Sequence, residues 1–312
     1  MKAIQVIDRK PQLIDMPTPS GEGVKVRVVA TSICGSDLHM MEKGWTEGRV
    51  PGHEFSGFTP DGTAVTVEPL LGCGNCGFCE QGYTIQCEAG VTFIGIGAAG
   101  GMAEFVEAPA ANLVPLPTGM DILHGSLVEP LAVALHGLSQ ARITPKDRVL
   151  VIGAGAIGLA VAAALHARGL EFDIQVRPPH QAVAATRLGA GLEVHESYDV
   201  VIDAAGTSDS LAQAIEHLRP RSRLAMLGTF WNPVEMPMAF CSKEVEMIGA
   251  MTYKCRDPDR TFVEAARLLH ENPHIADTLI THRFPLDAAQ EAFATAADRA
   301  SGAIKVCFEP AL

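Results

Sequence analysis

The chain of 312 residues is long enough for two domains, each with its own core. Its 36 acidic against 24 basic residues give a net charge of −12, which argues against nucleic acid or an anionic membrane surface as the main partner. The N-terminal MKAIQVIDRK has neither a long apolar core nor a small-residue cleavage site, so no export leader is expected, the expected compartment is the cytoplasm, and the eight cysteines are expected to be reduced.

In chain order, Ala3 to Ile7 and Val24 to Ala30 alternate in polarity and read as strands on either side of the Pro/Gly/Ser turn at Pro17 to Gly23. The stretch from Cys34 to Val128 is rich in Gly and Pro and reads as a β-rich domain with functional loops. From Ser126 the pattern turns helical through Leu127, Leu131, Leu135 and Leu138. Beyond Pro145, strands at 149–152, 172–176, 199–203 and 222–228 alternate with helices at 156–168, 180–188 and 208–218. That alternation predicts a parallel sheet with right-handed crossovers, an α/β fold. A helix at 260–269, a strand at 278–281, a helix at 286–297 and a strand at 303–309 complete the chain.

The strongest dinucleotide signal is Val149 to Leu165. A short aliphatic strand runs into Gly153, Gly155 and Gly158 in a G-x-G-x-x-G arrangement, and an Ala/Leu-rich helix follows. Gly153 permits the turn, Gly155 lets a pyrophosphate approach the backbone, and Gly158 lets helix and strand pack closely. The first helical residues, Ala156 and Ile157, belong to the N-terminus that offers free N–H groups and a positive dipole end to phosphate. The run is too short for the ~20 apolar residues of a membrane span, so no membrane segment is expected.

Two constellations point to metal. Cys73, Cys76, Cys79 and Cys87 form a C-x2-C-x2-C-x7-C lobe, and four thiolates in one compact loop suit a structural zinc. Cys34, within Cys34-Gly-Ser36-Asp37-Leu-His39, and His53, within Gly52-His53-Glu54, are good zinc ligands. With a carboxylate or water they would form an open catalytic site. The carboxylate could be Glu129, which sits in an apolar helical run where an unpaired charge is costly.

These motifs, with E-P-L-A-V from Glu129, G-A-G-x-I-G from Gly153 and S-G-A-I-K-V from Ser301, occur in one order over nearly the whole chain. They resemble the zinc-dependent medium-chain alcohol/polyol dehydrogenases, and Glu129 is most similar to the sorbitol and threonine dehydrogenase branch. The resemblance implies a GroES-like β-rich catalytic domain at 1–138 and 273–312, with a Rossmann domain at 139–272 inserted into it. It implies that Cys34, His53 and Glu129 hold the catalytic zinc, that Glu54 lies beside the metal and exchanges as a ligand, and that Asp37 orients His53. It also implies that Ser36 and His39 relay a proton to solvent, and that Lys305 meets the cofactor pyrophosphate. The implied reaction is hydride transfer between a secondary alcohol or polyol, or the matching carbonyl compound, and a nicotinamide cofactor. Homodimers or homotetramers are common in the family. Arg177 stands 19 residues after Gly158, where the family carries an acidic residue, and a guanidinium there suits a 2′-phosphate. NADP is therefore favoured, with NAD the alternative.

The chain is short in two places: between Gly57 and Ala64 a hairpin is reduced, and between Gly189 and Tyr198 a strand–helix crossover is cut to a brief link. That loss bears on the cofactor rim or the quaternary contact. Met40, Met41 and Trp45 either line the substrate pocket, favouring an apolar alcohol, or simply pack. Cys241, Cys255 and Cys307 read as core or surface thiols. The rival reading is a catalytically silent NADP-binding redox sensor of the same fold, against which the retained ligands, Ser36 and His39 argue.

Overall fold

The computed structural model describes residues 1–258 and 260–310. It divides into two compact units, Met1–Glu129 with Lys254–Leu312, and Pro130–Tyr253. The first is β-rich, built on a largely antiparallel seven-stranded sheet, and the second is α/β with a parallel sheet.

In the first unit, Val24–Ser32 is the central strand of a seven-stranded sheet. Its V-K-V-R-V pattern buries Val26 and Val28 and leaves the charged Lys25 and Arg27 facing outward. Glu54–Phe58, Phe105–Ala108 and Lys305–Phe308 all pair with it antiparallel. Phe55, Val65, Val67, Ile94 and Val106 pack with Val26 and Val28 into one core, each burial contributing about 1.5–3 kcal/mol. The reduced hairpin joins Glu54–Phe58 to Ala64–Val67, its turn closed by the Thr59 N–H donating to the Thr63 carbonyl at 3.0 Å. Gly62, at φ +86°, supplies the left-handed residue this turn needs.

Two expectations change here. The stretch read as β-rich contains the helix Gly35–Glu42. Thr278 and Leu279 end a short helix, His274–Leu279, and the strand is Ile280–Phe284. The two units part at 129/130 and 253/254. Within the first unit, residues after 253 are held by two anchors. Arg260 forms a two-pronged ion pair with Glu68 at 3.0 and 2.8 Å, and the Cys255 N–H donates to the Gly82 carbonyl at 2.9 Å.

In the second unit five strands pair in parallel throughout. Their spatial order is Phe172–Gln175, Val149–Ile152, Tyr198–Asp203, Leu218–Met226, Glu246–Gly249. The unbroken apolar run Val149–Ile152 is buried at all four positions, as befits a strand covered on both faces. The helix Ala156–Ala167 buries Gly158 to Leu165, a run in which glycine and four alanines alternate with Leu159, Val161 and Leu165. The 20-residue run Ile122–Ala141 is long and apolar enough to cross a membrane, but 72% of its apolar window is buried inside the protein, as in a core helix.

Candidate functional site

Cys34 leaves the central strand and caps the helix Gly35–Glu42. Asp37, in the first turn, accepts the Cys34 backbone N–H at 2.9 Å and presents its other oxygen to His53 Nδ1 at 3.5 Å, ion-pair rather than hydrogen-bond distance. His53 enters the neighbouring strand, and its Nε2 lies 3.5 Å from Ser36 Oγ. The ligand atoms of Cys34, His53 and Glu54 lie within 4.8 Å of one another, and Glu129 stands outside that set. Glu129 is nevertheless close enough to feel His53, Glu54, Lys305 and Asp37, and only 8% of it is exposed. Burial, only partly offset by His53, pushes its carboxyl up to about 7.

Burial alone would lower the His53 pKa, but Asp37, and after it Cys34, outweigh that and hold the imidazole well above its ordinary value. That proton must leave before the ring can ligate a metal. The buried Nδ1 of His53 and Oδ1 of Asp37 have no hydrogen-bond partner, and the enclosed groups are a thiol, three carboxylates, one imidazole and one ammonium. A site with this excess of anionic donors fits a divalent cation, and thiolate with imidazole selects zinc.

Glu54 is fully buried, its carboxylate gripped by Lys305 Nζ at 2.8 and 2.7 Å and by the Ser32 hydroxyl. Lys305 is 2% exposed and also donates to the Ile33 carbonyl at 3.3 Å. Burial disfavours its charge, yet Glu54 more than compensates and raises its pKa. The structure thus corrects the expectation for Lys305: its ammonium is sealed beside the candidate ligands, where it neutralises Glu54, and is not free to meet a pyrophosphate. Ser32, the third member of this arrangement, was not singled out from sequence, where one serine in a strand carries no signal.

Ser36 is half-buried and His39 exposed, three residues apart on one face of the helix Gly35–Glu42. Met40 is buried and Met41 packs against the core built on Ile4, Ile33 and Phe308, so both are packing residues. Trp45 is 64% exposed, with Lys43 Nζ 5.7 Å from its ring.

The four thiols of Cys73, Cys76, Cys79 and Cys87 converge within 4.8 Å of one another, and none is in a disulfide. Gly74, at φ +76°, turns the chain between the first two. Backbone N–H groups of Cys79 and Glu88 draw the Cys76 thiol down to about 6, while burial pushes Cys79 up to about 12. Four convergent sulfurs fit a tetrahedral zinc that would hold all of them as thiolates. Of the other cysteines, Cys241 is exposed, Cys255 half-buried and Cys307 buried beside Ser126.

In the second unit the glycine turn has the form the sequence asks for. Gly153 sits at φ +95°, and a Cβ on Gly158 would lie 1.8 Å from the Gly153 carbonyl oxygen. A Cβ on Gly155 would meet nothing within 4 Å, so the space before the helix N-terminus, where Ala156 and Ile157 begin the first turn, is open. That open cradle at a dipole end fits a pyrophosphate. At the end of the third strand in space, the Asp203 carboxylate accepts the Ala205 and Gly206 N–H groups at 2.9 and 3.0 Å and shapes the next loop. Arg177 is exposed in the loop after Phe172–Gln175.

Comparison with known proteins agrees with both halves. Residues 20–118 match the alcohol dehydrogenase GroES-like domain, and residues 122–309 match the glucose dehydrogenase C-terminus. The L-galactonate-5-dehydrogenase of Escherichia coli K12 is 29% identical over 309 residues, 89% of each chain. The solved galactitol-1-phosphate dehydrogenase of Escherichia coli superposes with a TM-score of 0.90 at 28% identity, over 99% of this chain and 100% of that one. Two further solved structures contain cofactor. An alcohol dehydrogenase from E. coli CFT073 holds NADH, at 25% identity and TM-score 0.87. A zinc-binding dehydrogenase from Sinorhizobium meliloti 1021 holds NADP, at 26% identity and TM-score 0.86. Each alignment covers 99% of both chains.

Proposed function

The chain belongs to the zinc-dependent medium-chain dehydrogenase family, and on that footing we propose that it oxidises a polyol or related secondary alcohol to the ketone, reversibly, with NADP. It is an oxidoreductase in which hydride passes between an alcohol carbon and the nicotinamide ring of a dinucleotide. The observation that carries the reading is the convergence of Cys34, His53 and Glu54, with Glu129 buried beyond that set, in a chain that also holds the open glycine cradle.

Each residue then has a task. Cys34 and His53 are ligands, and Asp37 fixes the ring so that Nε2 is presented. The carboxylate of Glu54 is already committed to Lys305 and Ser32, which leaves Glu129 as the carboxylate ligand at rest. Zinc, when bound, supplies the Lewis acidity that lowers the pKa of an alcohol hydroxyl. Ser36 and His39, stacked on one helix face, pass the released proton toward water. Cys73, Cys76, Cys79 and Cys87 hold a second, structural zinc.

Two relatives named for polyhydroxylated substrates support a polyol, and the inward packing of Met40 and Met41 takes those two residues out of the sequence argument for an apolar one. Arg177 supports NADP, since its guanidinium is exposed at the end of the second strand. The enzyme works as a homodimer or homotetramer in the cytoplasm; the strand Glu246–Gly249, paired on one side only among the described strands, offers an edge for assembly. Zinc content tests the ligand set. Glu129→Ala is expected to lose the zinc of the Cys34 site and keep that of the cysteine lobe, whereas unchanged content would refute Glu129 as a ligand.

A further inference from the structure

Dinucleotide-binding sheets of the doubly wound kind have six strands in the order 3-2-1-4-5-6. Here there are five, and the second strand in sequence, Phe172–Gln175, is the rim. In place of a third strand the chain contributes one residue. Gly191 donates its N–H to the Phe172 carbonyl at 3.0 Å and accepts from the Ile174 N–H at 2.9 Å, a single parallel bridge opposite Asp173. No residue of 192–197 pairs with the strand after it.

The return is pinned low. The Tyr198 hydroxyl accepts the His195 N–H and donates to Asp173 Oδ2, both at 2.8 Å. The link therefore holds to the beginning and middle of the rim strand and adds no pairing at Gln175, its carboxyl end. Leu192, beside the bridge, is left 45% exposed, and Val183, on the following helix, 55%.

That end is where the outer half of a dinucleotide belongs. The pyrophosphate lies at the glycine turn after the first strand, and the adenosine ribose at the end of the second. The path from one to the other points outward across the sheet, from Val149–Ile152 to Phe172–Gln175. One further strand spacing, about 4.8 Å, leads to the place of the missing strand and its loop. Continued along the same path, the nucleotide would carry its base beyond the ribose, toward this outer side.

Building on the nicotinamide-cofactor reading above, we propose that this unit binds its dinucleotide by the phosphates and ribose and leaves the purine base uncovered on the outer side. The enzyme consequently takes nicotinamide dinucleotides with altered bases almost as well as the natural cofactor. Specificity rests on the glycine cradle and on Arg177, because a base with one face in water gains little from stacking or burial.

The test is equilibrium binding to the full, zinc-loaded chain. The ligands are NADP, NAD, nicotinamide hypoxanthine dinucleotide phosphate and the 1,N6-etheno derivatives of NADP and NAD, with acrylamide quenching of the bound etheno base as a second readout. The altered-base ligands are expected to bind within about threefold of their natural counterparts, where a base walled on both sides loses about tenfold or more. The bound etheno base is expected to stay nearly as quenchable as the free nucleotide. Tight natural cofactor with a tenfold weaker or shielded etheno analogue would overturn this inference and leave the cofactor reading standing. Binding of neither NAD nor NADP would overturn both. A preference for NAD would undo the role of Arg177 alone, the base being then judged on the etheno-NAD pair.

Discussion

The ammonium of Lys305 lies 2.8 and 2.7 Å from the two carboxylate oxygens of Glu54, and the pair is sealed, with 2% and 0% exposure. Lys305→Met would strand a buried carboxylate beside the candidate ligands and is expected to cost about 3–5 kcal/mol, read as a drop in Tm. Adding Glu54→Gln should recover much of the loss, because the uncompensated charge goes with it. A single variant as stable as the parent would show that the pair does not hold the site together.

Gly155 and Gly158 separate binding from folding. A methyl on Gly158 collides with the Gly153 carbonyl, so Gly158→Ala should destabilise by roughly 1–3 kcal/mol. A methyl on Gly155 meets no protein atom, and φ there is −74°, open to any residue. Gly155→Ala should therefore melt like the parent yet bind dinucleotide about tenfold or more weakly, because the methyl fills the phosphate's approach. Unchanged affinity in Gly155→Ala would place the pyrophosphate elsewhere.

Arg177→Asp turns a phosphate partner into a ribose-hydroxyl partner. The KM for NADP should rise about tenfold or more while that for NAD holds or falls. Equal effects on the two cofactors would remove Arg177 from the discrimination.

Acid stability has one clear source in the second unit. Burial would raise the Asp147 pKa, but hydrogen bonds from the Thr144 N–H at 2.7 Å and its hydroxyl at 2.9 Å, and the Arg223 guanidinium at 2.6 Å, outweigh it and hold the carboxyl below its ordinary 3.8. A depressed carboxylate stabilises the fold above its unfolded pKa, and that gain is lost as pH falls through the lower folded value. Asp147→Asn should melt below the parent at neutral pH, and the gap should close at the acid end of a pH series. A gap constant with pH would mean the charge plays no part.

What the sequence disclosed and what it hid follow from range. Gly153, Gly155, Gly158 and the four lobe cysteines are legible because a backbone turn or a metal shell fixes residue types over a few positions. The loss between Gly189 and Tyr198 is legible for the same reason, as a crossover too short to hold a strand and a helix. Lys305 is not: in Ala303-Ile-Lys-Val-Cys-Phe308 nothing local shows that the charged head turns inward to a partner 251 residues earlier. The ion pair of Arg260 is hidden likewise, its partner Glu68 lying 192 residues away. The helix Gly35–Glu42 escaped because it is short, led by glycine, and has Ser36 and Asp37 in its first turn, residues that also suit loops.

The most direct measurement is nicotinamide absorbance during incubation with a panel of polyols, secondary alcohols and their ketones, each with NADP(H) and NAD(H), before and after a zinc chelator. Turnover of a polyol or its ketone, faster with NADP(H), abolished by the chelator and restored by zinc, is the predicted result. Turnover that survives removal of both zincs would contradict the assignment of Cys34, His53 and Glu129 as the centre of the chemistry.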